Sequence, residues 1–330
     1  MARTSFVTVV PACAALAVLV ASGCATSTGG VRGVAAIPSP APVRESAEVP
    51  VQPPIEFEPP SRLPVLGMPG EVSEPVPGGE IDWTDNSVRA RGTGVIDPGA
   101  KNPAQARLMA ERAAVVVAQR NLLEIIKGVR VDSETRVKNF MTDYDVIYTR
   151  IEGKVEGARQ RGPTKYDEAA GVVIVELEID VYGQEGISDA LQPVLGSEDV
   201  MIASTATPQV RDFLAQYSAL AFDGGDAGLK PAMYPKIYDA DGNLLLDTRD
   251  YAQYIGQGGR SAMQFVNDLD RVLSRSELQG IPLVLKVKEV TGKLGADIIL
   301  GRQDADKLKW LKDGFKFLVG AGRFVLKVLL

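Results

Sequence analysis

The chain has no histidine in 330 residues and only two cysteines, Cys13 and Cys24. The missing imidazole removes Ser-His-Asp and Cys-His nucleophile activation, histidine metal ligation and a simple neutral-pH proton shuttle. The shortage of thiols leaves no disulfide framework once Cys13 departs with a leader. Cationic excess is missing too. Lys and Arg number 36 against 42 Asp and Glu, a net charge of -6, which argues against a duplex nucleic-acid binder. Paired carboxylates, Ser-Lys dyads and cofactor enzymes survive these filters. No motif for any of them stands out, so the sequence predicts a protein that is not an enzyme and that holds no cofactor and no metal.

What is present starts at the N-terminus. Arg3 precedes an uncharged stretch from Phe6 to Val20, and the run Leu19-Val20-Ala21-Ser22-Gly23-Cys24 closes it. A basic start, an apolar core and small residues before a cut site build a bacterial secretion signal. A cysteine preceded by Ala-Ser-Gly resembles the lipobox of bacterial lipoproteins, although Ala21 stands where Leu or Val is more usual. That resemblance implies cleavage between Gly23 and Cys24, diacylglycerol on the Cys24 sulfur, and acylation of the new N-terminus. Several chains of ~14–18 carbons at ~0.8 kcal/mol per buried methylene make such an anchor nearly permanent. Two other readings stay open. Cys24 is incidental beside an ordinary cleaved signal, or the segment from Thr4 to Gly30 spans the membrane, although Gly23 and Gly29-Gly30 dilute its second half. Ala25, rather than Asp, follows the cysteine. In a diderm host the lipoprotein resemblance then implies the outer membrane, with membrane lipid as partner and the body in the periplasm.

Composition divides the remainder. Twelve of the 21 prolines fall between Pro38 and Pro77. A run this rich in Pro, Gly and Ser cannot bury enough apolar surface to offset its ordering entropy. Residues 24–80 are therefore predicted to be a lipidated cysteine and a disordered tether. Some 55 residues reach roughly 170 Å if extended as polyproline II and ~40 Å r.m.s. as a coil. Ile55, Phe57, Leu63, Val65, Leu66 and Met68 offer local docking points. The fold class predicted beyond the tether is α+β, with two small sheet-plus-helix domains at 81–197 and 198–330.

In the first domain, Ser87 to Ile96 alternates Val88, Ala90, Gly92, Gly94 and Ile96 with Arg89 and Arg91, the period of a strand with a small-residue interior. Pro98-Gly99 turns the chain, Asn102 suits an N-cap and Pro103 the first helical position. The helix should run to Lys127 and stop at Gly128. Its inner face is predicted as Ala106, Ala110, Ala113, Ala114, Val117, Leu122 and Ile125, with alanines admitting a close-packed sheet. Extended segments are predicted at Val129 to Val137, Ile147 to Tyr166 and Gly171 to Val181. Strand–helix–strand–strand–strand makes an antiparallel sheet with a helix across one face.

The residues Ala106-Arg107, Ala113-Ala114, Arg120-Asn121-Leu122-Leu123-Glu124 and Ile126-Lys127-Gly128-Val129, with Gly153-Lys154-Val155-Glu156-Gly157 and the strand Val172 to Val181, resemble the LPP-twenty type of bacterial outer-membrane lipoprotein domain. That family includes FlgP-like modules and, more distantly, FlgT N-terminal-like ones. The resemblance covers about Arg89 to Val181. It implies a non-enzymatic α+β module for assembly at the cell envelope, with flagellar or other envelope proteins and further copies of itself as partners.

The second domain reads as a helix or lead-in at Pro208 to Phe222, a helix at Gly259 to Leu273, strands at Pro282 to Val290 and Ala296 to Leu300, a helix at Asp304 to Phe317 and a last strand at Phe324 to Leu330. Gly228-Leu229-Lys230-Pro231-Ala232, before Asp239-Ala240-Asp241-Gly242, resembles the C-terminal segment of longer lipoproteins of the same group.

Three apparent motifs have plainer readings. Asp239-Ala240-Asp241-Gly242-Asn243 begins like a calcium loop but lacks its later ligands, so a hairpin turn is favoured. Gly256-Gln257-Gly258-Gly259-Arg260 lacks the Lys-Ser/Thr of a phosphate loop and reads as a turn. Asp304 and Asp306 suit a cap and a helix dipole rather than an acid pair. Residues Gly301 to Leu330 carry seven Lys/Arg against three Asp/Glu. Lys307, Lys309, Trp310, Lys312, Phe315, Lys316 and Phe317 fit a core helix with a solvated basic face, ahead of a contact with an acidic partner and of a membrane-surface helix. The function predicted is a lipid-anchored envelope protein of structural role, with the LPP-twenty resemblance implying association with the flagellum. A periplasmic binding module for a small ligand or peptidoglycan is the alternative.

Overall fold

The computed structural model describes residues 71–195, 208–252, 263–268, 281–311 and 326–329. All of them belong to one compact unit, Arg62–Leu330. Gly23, Cys24, the turn at 256–260, and Lys312, Phe315, Lys316 and Phe317 lie outside the described residues. No helix among the described residues is long and apolar enough to cross a membrane.

The unit is α+β, built on two sheets. The first contains β1 (Ser73–Val76), β2 (Gly79–Asp82), β3 (Ser87–Val95), β4 (Arg159–Gln160), β5 (Lys165–Asp167) and β6 (Val172–Asp180). Its order is β1-β2-β3-β6-β4, with β5 also on β6, and every pairing is antiparallel. Helices α1 (Pro103–Gly128), α2 (Val137–Asp143), α3 (Asp145–Glu156) and α4 (Ile187–Leu195) accompany it. In the β3–β6 register Val88 faces Ile179, Ala90 faces Leu177, Gly92 faces Val175 and Gly94 faces Val173. That row looks toward α1. The other row pairs Arg89 with Glu178 and Arg91 with Glu176 on the polar face.

Helix α1 starts where its cap dictates. The Asn102 side chain accepts from the N–H groups of Ala104 and Gln105, and Pro103 follows. Its buried line is Ala106, Ala110, Ala114, Ala118, Leu122, Ile125 and Ile126. Ala113 is exposed and Val117 only half-buried, one step off the predicted face, and Ala118 and Ile126 take their places. The fit is tight because of two glycines. A Cβ on Gly92 would sit 2.0 Å from the Ala114 carbonyl oxygen, and one on Gly94 1.9 Å from that of Ala110. Trp83, Leu122, Ile126, Ile147, Ile151, Ile187 and Leu191 fill the core around this contact, at roughly 1.5–3 kcal/mol per large side chain.

Several expectations need correction. Residues 73–80, assigned by composition to the tether, form β1 and the start of β2, with Pro75 accommodated in the short strand β1. The segment from Ile147, predicted extended to Tyr166, is helix α3 as far as Glu156. Ile147, Ile151 and Val155 are its buried residues, spaced by four, so the helical period overrides the β-branched preference. Residues 129–136 are not a strand. They form a tight loop closed by an Arg130–Arg136 bridge before α2. Within the helix predicted at Gly259 to Leu273, residues Met263–Val266 are a strand, β10.

The second sheet has seven strands: β7 (Tyr217–Asp223), β8 (Lys236–Tyr238), β9 (Leu244–Asp247), β10, β11 (Ile281–Thr291), β12 (Asp297–Leu300) and β13 (Leu326–Leu329). Their order is β10-β13-β7-β11-β12-β8-β9. β7 is flanked by parallel β13 and β11, whereas β11–β12 and β8–β9 are antiparallel. Helices α5 (Pro208–Gln216) and α6 (Arg302–Leu311) flank this sheet. The β8–β9 link is a hairpin turn, as the sequence implied. Gly242 has φ +83°, and the Asp239 carboxylate accepts from the Asp241 and Asn243 N–H groups. Asp304 does not cap α6, which begins at Arg302. It accepts from the Lys286 N–H at 3.1 Å and pairs with Lys307 at 2.7 Å.

Candidate functional site

A cluster of buried polar side chains lies where the loop after α1 meets the second sheet. Its shape follows from local sequence. Asp132 Oδ1 accepts from the Glu134 N–H (2.9 Å), the Thr135 N–H (2.8 Å) and the Thr135 hydroxyl (2.8 Å). This is the turn that an Asp-x-x-Thr spacing favours. The turn pushes Arg130, Asp132 and Ser133 outward from the first sheet, and all three become buried.

Each then bonds to the second sheet's segments. The Arg130 and Val131 carbonyls accept from the N–H groups of Met233 (2.9 Å) and Tyr234 (2.7 Å). The Arg130 guanidinium donates to the Pro231 carbonyl, grips both Glu74 oxygens and lies 5.7 Å over the Trp83 ring. Burial works to raise the Glu74 carboxyl, but the Arg130 hydrogen bond and charge, with the Trp83 N–H, prevail and hold it below its ordinary value. The Ser133 hydroxyl donates to the Thr291 carbonyl (2.8 Å) and accepts from the N–H groups of Ala296 (3.1 Å) and Asp297 (3.3 Å). Its carbonyl accepts from Leu294 at 2.8 Å. Gly292, at φ +84°, leaves room for it, since a Cβ there would lie 1.9 Å from Ser133 Oγ.

A charged row borders this contact. Arg249 reaches Asp132 at 3.4 Å and Asp247 at 3.3 Å, and Lys236 Nζ lies 3.9 Å from Asp247. Asp297 accepts from the Lys236 N–H at 2.9 Å. Burial pushes the Asp297 carboxyl up to about 6, and the charges of Asp132 and Asp247 add to the rise against the opposing pull of Lys236. Burial and the same carboxylates raise the Tyr238 hydroxyl.

This arrangement holds the two sheets together. The Ser133 hydroxyl is engaged by one carbonyl and two N–H groups of the main chain. Among the described residues, no group of three or more Asp, Glu, His or Cys is placed to hold a metal ion. Residues 209–323 match the family model for the second domain of Treponema pallidum Tp0624. The matched stretch runs from α5 past α6 and so takes in most of the second sheet together with Asp247, Arg249, Gly292 and Asp297. No curated protein matches the chain.

Sequence reasoning singled out Gly228 to Ala232, and these residues do sit at the contact, where Leu229 and Ala232 are buried and Pro231 receives Arg130. It missed the other half, Arg130 to Thr135, whose Asp-Ser-Glu-Thr signature was available. The Asp239 turn is at a different place and is held by Lys309, at 2.9 Å. Lys309 and Asn243 keep the Asp239 carboxyl well below its usual range. Lys309 and half-exposed Trp310 stand on the solvent side of α6, whose buried side is Ala305, Leu308 and Leu311. Asp306 lies 4.0 Å from Lys309 and is exposed.

Proposed function

We propose that this protein is a lipid-anchored cell-envelope component with a structural, assembly-type role. A secretion signal ending in Cys24 and a Pro-rich tether carry the body to a membrane surface, with the outer membrane indicated by Ala25. The observation that carries the non-catalytic half of the reading is the use of the buried charge. Arg130 and Ser133 bond across the two sheets, Asp132 pairs with Arg249, and the Asp297 N–H donates to the Ser133 hydroxyl. A rigid body on a long tether is suited to reaching and holding other envelope proteins. In its narrower form, drawn from the LPP-twenty resemblance of residues 89–181, the reading places the protein beside the flagellum.

The test is metabolic labelling with a radioactive or clickable fatty acid, followed by fractionation of cells expressing the wild type and Cys24→Ser. The reading expects label and membrane partition in the wild type and loss of both in the variant. A Cys24→Ser protein that still partitions with envelope lipid contradicts it. Loss of flagellar assembly on deletion supports the narrower form, and intact flagella reject it.

A further inference from the structure

We propose that a second copy of this chain docks on α1 through the turn between α2 and α3, making a head-to-tail contact. This rests on the assembly reading above and gives it a surface. Helix α1 packs on the sheet with its alanine line and presents the opposite side to solvent. There Leu108, Met109 and Val116 are 59%, 58% and 46% exposed. Arg112, Val116 and Arg120 stand at i, i+4 and i+8, one row along the helix spanning about 12 Å. Both arginines are exposed, and among the described residues neither has an acidic partner.

The α2–α3 turn has the opposite charge. Asp143 ends α2, Asp145 begins α3, and Tyr144 stands between them. Tyr144 is 48% exposed and Val146 50% exposed, and Tyr144 makes no side-chain cap bond at the start of α3. Neither aspartate has a cationic partner among the described residues. One molecule therefore carries an apolar row with a cation on each side of Val116 and an aromatic knuckle with an anion on each side of Tyr144. The order of charge, apolar group and charge is the same in both, with the signs reversed. Tyrosine and arginine are the residue types that anchor protein contacts most often.

The two patches are different surfaces, so the contact between copies is heterologous. Such a contact leaves one patch free at each end and propagates into a ring or a filament. Opposite charge also raises the rate of encounter and makes it salt-sensitive.

Sedimentation velocity of the full chain in detergent, over a concentration series, tests this. The wild type should sediment faster as concentration rises and lose that dependence in high salt. The pair Arg112→Glu with Arg120→Glu should abolish the rise, and so should Asp143→Lys with Asp145→Lys. All four sites are exposed, so thermal melts should match the wild type. An equimolar mixture of the two variants should regain association, because each then offers the charge the other needs. A wild type that shows no rise at any concentration overturns the proposal. So does a mixture that fails to regain association. Association unchanged in both variants overturns this surface alone and leaves the assembly reading standing.

Discussion

Asp297 sets the pH response of the junction. Its carboxyl titrates at about 6 in the folded protein against an ordinary 3.8, because burial and two neighbouring carboxylates disfavour the charge. The folded state therefore binds this proton more tightly than the unfolded state does. The resulting stability is complete below about pH 4 and is lost as pH rises through about 6. A two-unit displacement corresponds to about 3 kcal/mol, and solvent screening reduces it to about 1 kcal/mol. Asp297→Asn keeps an oxygen for the Lys236 N–H and removes the charge. Urea denaturation should find this variant about 1 kcal/mol more stable than the wild type at pH 7.5, with the difference gone by pH 4. Ser133 acts through hydrogen bonds alone. Ser133→Ala leaves the N–H groups of Ala296 and Asp297 without their oxygen acceptor in a buried contact. At about 1–3 kcal/mol for each of the two unsatisfied groups, the loss should be roughly 2–6 kcal/mol at any pH. The same denaturation series separates the two variants, since only the first effect depends on pH.

Among the elements, α1 and β3 form the tightest contact, and its requirement is the absence of side chains. Gly92→Val must push α1 off the sheet, because even a single Cβ would lie 2.0 Å from Ala114 O and 2.3 Å from Ala118 N. Overpacking against main chain costs about 3 kcal/mol or more, and near-UV circular dichroism should report loosened packing around Trp83. This pairing was readable in advance. Asn102-Pro103 marks a helix start, and alternation with Gly92 and Gly94 marks a strand that admits an alanine face. Strands β6, β11, β12 and β13 were also legible, because unbroken Val/Ile/Leu runs have few other uses. Helix α3 was not, because Ile147, Ile151 and Val155 are β-branched and Gly153 within the segment suggested a kink. Only the sheet and helices they pack against select the helical period. The short strands β1 and β2 were hidden by Pro75 and Pro77, which read as tether until β3 is present to pair with β2.

On the scale of the whole molecule, the junction was the least legible part. Arg130 meets Pro231 across 101 residues, and Ser133 meets Thr291 across 158. No local pattern encodes a partner so distant, although each half leaves a trace, an Asp-x-x-Thr turn and a Gly-Leu-x-Pro-Ala segment. The consequence is that buried hydrogen bonds tie the two sheets to each other. The self-docking surface proposed on α1 would add contacts from copy to copy, and its charge-reversal pair is the prediction that belongs to this scale.

All of this presumes that the body is held at a membrane by its own N-terminus. Intact mass spectrometry of the mature protein purified from its envelope tests that most directly. The account predicts a chain beginning at Cys24 whose mass exceeds the polypeptide by a diacylglyceryl group and an N-terminal acyl chain. A mature chain with an unmodified N-terminus, or one that retains residues 1–23, would contradict it.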